Sequence, residues 1–193
     1  MSDGNAIEKV IKQRRSIKPL LMNGKKVPDE LVKNFLEMAN WAPTHGYTEP
    51  WYFMVYSGDK VKQFCINHAN LYKEITPEDK FMSANYEKLL HNGDFASHII
   101  VAIMKRGSNP KITVLEEISA TAAAIQNLLL SATANGVASF WNTGGLTFNP
   151  AMKNHLNLKA DDQIMGILYL GYSDQPLAEG RRIKPMEEKV SWL

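Results

Sequence analysis

The chain has 193 residues, of which 45% are hydrophobic and 22% are charged, as is ordinary for one soluble globular domain with a substantial core. The formal net charge is only +2. The basic residues are scattered and form no stripe interleaved with aromatic residues, which argues against a nucleic-acid partner.

The first half of the chain mixes helical and extended patterns. Amphipathic periodicity predicts a helix from about Asn5 to Arg14 and a second from Pro28 to just before Pro43. The elements predicted next are a strand over 51–56 and helices at about 60–70 and 81–91. The segment 71–92 is polar, so we expect an exposed helical excursion there, which could serve as a substrate lid.

The second half is more apolar. The nearly continuous apolar run 98–104 predicts a buried strand, and the helix predicted at 118–135 is apolar almost all round, so it should be buried on most sides. Gly136 ends that helix. The remaining predicted elements are a strand over 137–141, a helix over 149–157 and a strand over 164–170. Helices and strands mix without a strict βαβ rhythm, so we predict one α+β domain over residues 1–193.

Cysteine content and apolar runs bear on the compartment. A single cysteine, Cys65, allows no intrachain disulfide, and we expect it to be a buried, inert thiol. The N-terminal sequence has no apolar signal region, and no run is long enough to span a bilayer. We therefore expect a cytoplasmic protein without a membrane partner.

Several common catalytic patterns are absent. The sequence has no GxGxxG after a strand, no GxxxxGK[ST] and no GxSxG. Its five histidines are widely spaced, so metal binding is not expected. The pair Glu116-Glu117 is more typical of a helix start than of a general acid/base couple.

Three polar segments at predicted element ends remain as candidate site segments. The first, Arg14-Arg15-Ser16-Ile17-Lys18, gathers two guanidiniums, a hydroxyl and an ammonium within five residues. This cluster suits a phosphate, because guanidinium and hydroxyl groups both donate directed hydrogen bonds. Cations that simply favour a helix C-terminus and stay solvated are the alternative that these residues leave open.

The other two segments join tryptophans to small and polar residues. Residues 41–46 (Trp-Ala-Pro-Thr-His-Gly) lead into Pro50-Trp51, and residues 141–145 (Trp-Asn-Thr-Gly-Gly) end a predicted strand. Taken singly, the tryptophans could be core residues and His45 a loop histidine. Their occurrence together with the basic cluster favours a binding site.

In this order, the segments resemble the nitroreductase family of FMN-dependent oxidoreductases, most of all its compact branch. The resemblance covers most of the chain. It rests on the Arg-Arg-Ser and Ala-Pro-Thr-His motifs, on the Pro-Trp pair, on the helix ending Ala134-Asn135-Gly136 and on Trp-Asn-Thr-Gly. The strand 168–172 and the tail 184–190 also match.

The resemblance implies a three-layer fold, with a central mixed, mostly antiparallel sheet flanked by helices. It also implies a homodimer with FMN at the subunit interface and a domain-swapped C-terminal tail. An apolar central helix and the apolar end Val190–Leu193 independently favour dimerisation, because both need more buried surface than one chain readily provides.

The resemblance further implies the cofactor contacts. The basic cluster would hold the ribityl phosphate and the ring edge, with Lys18 near the flavin pyrimidine, where a cation stabilises the reduced cofactor. His45 would reach FMN across the interface. Backbone N–H groups of the glycine loop, residues 143–145, would approach the N5 and O4 edge of the flavin. The implied cofactor-binding residues are Arg14, Arg15, Ser16, Lys18, Trp41, His45, Trp141, Asn142, Thr143, Gly144, Arg182 and Lys184. No catalytic residue and no metal ligand are assigned.

The implied function is electron transfer from NADH or NADPH through FMN to a nitroaromatic, quinone or similar acceptor. The alternative to an enzyme is a flavin-binding storage or sensing protein without significant turnover. Dehalogenation or flavin breakdown on the same fold and a flavin-free scaffold are further alternatives. Segment 131–136 matches a nicotinamide dinucleotide segment of the compact branch, whereas Glu49 departs from the family's usual glutamine.

Overall fold

The computed structural model describes residues 3–193, so residues 1 and 2 of the predicted domain lie outside the described chain. The elements are, in order, α1 (Asp3–Gln13), α2 (Asp29–Asn40), β1 (Trp51–Ser57), α3 (Asp59–Ile75), α4 (Ser83–His91), β2 (His98–Met104), α5 (Val114–Ala134), β3 (Ala138–Asn142), α6 (Pro150–His155) and β4 (Gln163–Gly171). All ten were predicted, with ends that differ by a few residues.

The four strands form one sheet in the order β1-β2-β4-β3, and every neighbouring pair is antiparallel. The parallel component is a single bridge between Ser16 and Ser139, which joins the N-terminal basic cluster to β3. The predicted α+β class with a mostly antiparallel central sheet is confirmed.

Strand β2 lies at the centre of three layers, and all seven of its residues are buried. Because side chains alternate across a strand, Ile100 and Ala102 pack toward α2 and α5, whereas Ile99 and Val101 pack toward α3 and α6. Helices therefore cover both faces of the sheet, which explains the unbroken apolar run of β2 in the sequence.

Helix α5 begins earlier than its apolar pattern indicates. The Thr113 hydroxyl accepts a hydrogen bond from the Glu116 N–H at 3.3 Å, and the Glu116 carboxylate accepts one from the Thr113 N–H at 2.7 Å. This capping box satisfies backbone donors of the first turn and starts the helix at Val114 rather than Ile118. Gly136, with φ of +70°, follows its C-terminus.

Helix α4, in contrast, begins later than predicted. A short 3-10 turn occupies Glu78–Lys80, and the α-helix starts only at Ser83. The Tyr72 hydroxyl of α3 accepts a hydrogen bond from the Met82 N–H at 3.1 Å, and the Tyr86 hydroxyl donates to Asn70 at 3.1 Å. These two bonds attach α4 to α3.

The C-terminal tail after β4 is exposed from Asp174 to the end of the chain. It carries large apolar side chains, among them Trp192, which is 96% exposed. The predicted exchange of this tail between two subunits stays a prediction. None of the helices in residues 3–193 combines the length and apolar character needed to cross a membrane.

Candidate cofactor site

The basic cluster lies against the edge of the sheet. The Ile17 N–H donates to the Ser139 carbonyl at 2.9 Å, which fixes the segment beside β3. Arg14, Ser16 and Thr143 line a cleft of about 280 Å³ that also includes Gln126, Leu129, Ser139 and Trp141. This lining contains one guanidinium and no carboxylate, so the cleft favours an anion.

Arg15 does not line that cleft and instead holds the tail. Its Nε donates to the Ala178 carbonyl at 2.7 Å, and its Nη1 donates to the Lys12 carbonyl at 2.7 Å. A Cβ on Gly180 would lie only 2.6 Å from the Arg15 guanidinium, so the tail passes directly over it. Two adjacent arginines that the sequence places in one phosphate site thus make different contacts in this chain.

Trp141 forms a wall of the Arg14 cleft. Its indole Nε1 donates to the Met165 carbonyl at 2.8 Å. The ring covers Gly166, where any side chain would collide with the indole, since a Cβ would lie 2.1 Å from Nε1. The partner strand therefore fixes the orientation of Trp141.

The loop after β3 is held from below by a buried histidine. The Leu146 N–H donates to His68 Nε2 at 3.2 Å. Gly145 has φ of +65°, which other residues adopt only with strain, and a Cβ there would lie 3.0 Å from Leu89 and 3.2 Å from His68. Burial lowers the pKa of His68 to about 4, so the ring is neutral and can accept this bond.

The start of the same loop is set by short-range contacts. The Asn142 side-chain oxygen accepts from the Gly144 N–H at 3.1 Å, and the Thr147 hydroxyl donates to the Gly144 carbonyl at 2.6 Å. Thr143 and Gly144 are exposed, but these two bonds already engage the Gly144 N–H and carbonyl, so Thr143 is the residue of this pair whose backbone can meet a ligand. Sequence reasoning identified this loop but missed His68, whose only signal was a histidine on the buried face of α3.

Lys18 lies on the other side of this loop. It lines a second cleft of about 410 Å³ that also includes Asn142, Gly144 and residues of α4. The structure thus distributes the N-terminal cluster over two neighbouring clefts, with Arg14 and Ser16 in one and Lys18 in the other.

Trp41 and His45 do not line either of these clefts. Trp41 is 75% exposed and adjoins an apolar surface that includes Ile7 and Leu130. His45 Nδ1 lies 2.7 Å from Glu116 Oε1. The Thr113 backbone and the His45 side chain together lower the pKa of Glu116 to about 2.

The remaining predicted site residues are in the tail. Arg182 and Lys184 are both exposed, and the Arg182 Nη1 donates only to the neighbouring Arg181 carbonyl among the described residues. The structure therefore does not bring them into the Arg14 cleft. Glu49 is also exposed, and its N–H donates to the Thr44 hydroxyl at 3.3 Å. No group of three or more potential metal ligands occurs within residues 3–193.

The chain is an α+β protein with a helix-covered antiparallel sheet, and its cleft beside the loop after β3 is lined by one guanidinium and no carboxylate. The sequence model of the nitroreductase family matches residues 11–172. The chain therefore belongs to the nitroreductase family. The matched range contains every predicted site residue except Arg182 and Lys184, which lie in the tail beyond it.

Individual relatives agree with this assignment. A nitroreductase-like family protein from Bacillus cereus is 29% identical and superposes with a TM-score of 0.85, covering 100% of this chain and 98% of that chain. A Desulfovibrio desulfuricans protein described as a nitroreductase in complex with FMN is 25% identical, with a TM-score of 0.72 and coverage of 95% and 94%. YfhC of Bacillus subtilis, named as an NAD(P)H nitroreductase, is 27% identical over 97% of this chain and 94% of its own length.

Proposed function

We propose that the protein is a homodimeric, FMN-dependent oxidoreductase that passes electrons from NADH or NADPH to an electron-poor acceptor such as a nitroaromatic or a quinone. Family membership, the name of YfhC and the FMN complex of the Desulfovibrio protein support the proposal. Within the chain, the proposal depends on the acid-free cleft lined by Arg14, Ser16 and Thr143.

The residues of this cleft fit the phosphorylated end of FMN. Arg14 can donate two parallel hydrogen bonds to a phosphate, and the Ser16 hydroxyl can add a third donor. The absence of a carboxylate from the lining means that no charge repels the phosphate. Arg182 and Lys184 would complete this end of the site, since Arg15 anchors the tail four residues before Arg182, at Ala178.

The loop and Lys18 fit the ring end. The Thr143 backbone N–H would donate to the ring edge, the Gly144 N–H stays bonded to Asn142 and holds the loop in place, and the Lys18 ammonium would lie near the pyrimidine. When bound, FMN would accept a hydride from NAD(P)H and pass the electrons on to the acceptor. The side chains bind and orient the cofactor, so the proposal assigns no catalytic acid or base.

A second subunit would complete the site. The Arg14 cleft, at about 280 Å³, is smaller than the ~300–1,000 Å³ of ordinary small-molecule sites. Trp41 and His45 lie outside this cleft, so in the proposal the partner subunit supplies their equivalents. The exposed side chains of Ile7, Met38 and Trp41 line one apolar surface, which is suited to such an interface.

Partners and compartment are also part of the proposal. The acceptor is a small molecule, and neither nucleic acid nor a membrane is a partner. A cytoplasmic location agrees with the single cysteine: Cys65 is buried, and burial raises its thiol pKa to about 11.

The visible spectrum of the purified protein tests the proposal, followed by anaerobic titration with NADH and with NADPH. We expect a yellow protein whose flavin band bleaches with one of the two nucleotides and recovers on addition of a quinone. A yellow protein that neither nucleotide bleaches would instead support storage or sensing. A colourless protein that takes up no added FMN would support a flavin-free scaffold.

A further inference from the structure

The second cleft, of about 410 Å³, lies between α4 and the loop after β3. Its volume is within the ~300–1,000 Å³ range of small-molecule sites. Its lining comes from the segment 18–20, from the end of α3, from α4, and from β3 with the loop that follows it. The cleft therefore opens directly beside Lys18 and Gly144, to which the proposed function assigns the ring end of FMN.

Helix α4 presents one face to this cleft. Asn85, Lys88, Leu89 and Asn92 follow the i, i+3, i+4, i+7 spacing of a single helical face. Leu89 is buried and abuts Gly145, which fixes the rotation of the helix about its axis. The Asn92 amide donates to the buried Tyr169 hydroxyl at 2.9 Å and secures the end of this face.

The cleft is positively charged. Its lining includes two lysines, Lys18 and Lys88, and neither aspartate nor glutamate. Among the salt bridges of the described residues, none involves either lysine, and the neighbouring Glu87 pairs with His91 instead. Since the proposed function assigns Lys18 to the flavin, Lys88 is the ammonium left in this cleft to attract a further anion.

The remaining walls suit a flat ring. Tyr72 and Phe140 contribute aromatic side chains, and Leu89 and Leu146 contribute apolar surface. The Tyr72 hydroxyl is already engaged with the Met82 N–H, so its ring is held in place. Aromatic and aliphatic walls with a few fixed polar groups are typical of sites for planar aromatic ligands.

We propose that this cleft binds the electron acceptor, and that the acceptor is an anionic aromatic compound whose carboxylate pairs with Lys88. The inference rests on the proposed function, because it identifies the class of acceptor that the same site takes. Lys88 is a specificity-determining residue: it selects the acceptor and takes no part in binding the nicotinamide nucleotide.

The test compares Lys88→Gln with wild type on two acceptors of similar shape, 4-nitrobenzoate and the neutral 4-nitrobenzamide. In each turnover the nitro group takes two electrons and two protons, giving the nitroso compound and water; the hydride of NAD(P)H supplies both electrons and one proton and leaves NAD(P)⁺, and solvent supplies the second proton. We expect kcat/KM for the anion relative to the amide to fall about tenfold in Lys88→Gln, as for loss of one charge-assisted hydrogen bond. Lys80→Gln is the matched control, because Lys80 is exposed in the same excursion but outside the cleft.

Two further measurements separate this inference from the proposed function. The rate of flavin reduction by NAD(P)H should be the same in Lys88→Gln as in wild type; a loss confined to that step would overturn the inference and assign the cleft to the nucleotide. Titration of the purified protein with benzoate and with benzamide needs no turnover. Tighter binding of benzoate, lost in Lys88→Gln, supports the inference even if reductase activity is absent, whereas equal binding of the two by wild type overturns it.

Discussion

His45 Nδ1 lies 2.7 Å from Glu116 Oε1, and the same carboxylate closes the capping box of α5 through Thr113. One glutamate thus joins the Trp41–Gly46 loop to the first turn of the central helix. The contact also fixes the His45 ring, so that Nε2 is the nitrogen left for a ligand or a second subunit.

Glu116→Gln should destabilise the protein in a pH-dependent way. Hydrogen bonds from Thr113 and His45 lower the Glu116 pKa to about 2 from 4.5, so its contribution is complete above pH 4.5 and is lost as the pH falls toward 2. The difference in Tm between wild type and variant should therefore be largest near neutral pH and vanish near pH 2. Glu8→Gln, in an exposed pair with Lys12, serves as the control. A difference in Tm that stays constant between neutral pH and pH 2 would contradict a stabilising role for the ionised Glu116 carboxylate.

Arg14 and Arg15 should differ in their effect on cofactor binding. Arg14→Gln should weaken FMN binding by about 10- to 100-fold, as expected for loss of a charge-assisted hydrogen bond to a phosphate. Arg15→Gln should mainly free the tail at Ala178, which limited proteolysis would detect as faster cleavage. Fluorescence titration with FMN measures the first effect. Equal losses of affinity in both variants would mean that the two guanidiniums act on the phosphate together.

Periodicity and propensity alone predict most of the fold. The apolar run of β2 and the apolar helix α5 are buried as expected. Elements that are covered on more than one side are apolar almost all round, so their burial can be predicted from the sequence directly. The misplaced starts of α4 and α5 have local causes: a capping box moves α5 back to Val114, and the chain between Thr76 and Met82 forms a 3-10 turn instead of the first turn of a helix.

The candidate site is harder to predict from the sequence than the fold. Arg14, Ser16 and Thr143 were identified from their segments, but the separation of Arg14 from Arg15 depends on where the tail runs, which no local pattern encodes. His68 was missed because periodicity places it on the buried face of α3 but does not tell which backbone group it contacts. Lys88 was missed because periodicity does not tell what the exposed side of α4 faces. Their positions beneath the glycine loop and beside Lys18 follow from tertiary packing.

Glu117 should be critical for stability. Its carboxylate is fully buried, accepts from Arg106 Nη1 at 2.7 Å and from the Gly107 N–H at 3.1 Å, and attaches α5 to the segment after β2. Glu117→Gln removes the charge and leaves the Arg106 guanidinium partly buried without its counter-ion, which should cost about 3 kcal/mol of the free energy of unfolding. Urea denaturation measures this, with the exposed Glu74→Gln as control. If Glu117→Gln lowered the free energy of unfolding by no more than Glu74→Gln does, Arg106 would have found another partner.

His68 should make the protein less stable in mild acid. Burial lowers its pKa from 6.5 to about 4, so between these values the unfolded chain binds a proton that the folded chain does not. Stability therefore falls as the pH drops from 6.5 to 4, by about 3 kcal/mol for this group. His68→Gln, whose amide oxygen can still accept from Leu146, should show a shallower slope over this range.

The apolar surface around Trp41 should control both assembly and cofactor affinity. Trp41 is 75% and Ile7 64% exposed, and a stable interface usually buries about 800 Å² on each partner, with large aromatic residues contributing most of the binding energy. In the double variant Trp41→Ser and Ile7→Ser, sedimentation should shift the protein from dimer to monomer, and FMN affinity should fall because the partner no longer completes the site. Val55→Ser, at a similarly apolar and 44% exposed position on β1, should change neither. A wild-type monomer that holds FMN as tightly as any dimer would refute the shared site, since one chain would then enclose the cofactor without the partner's Trp41 and His45.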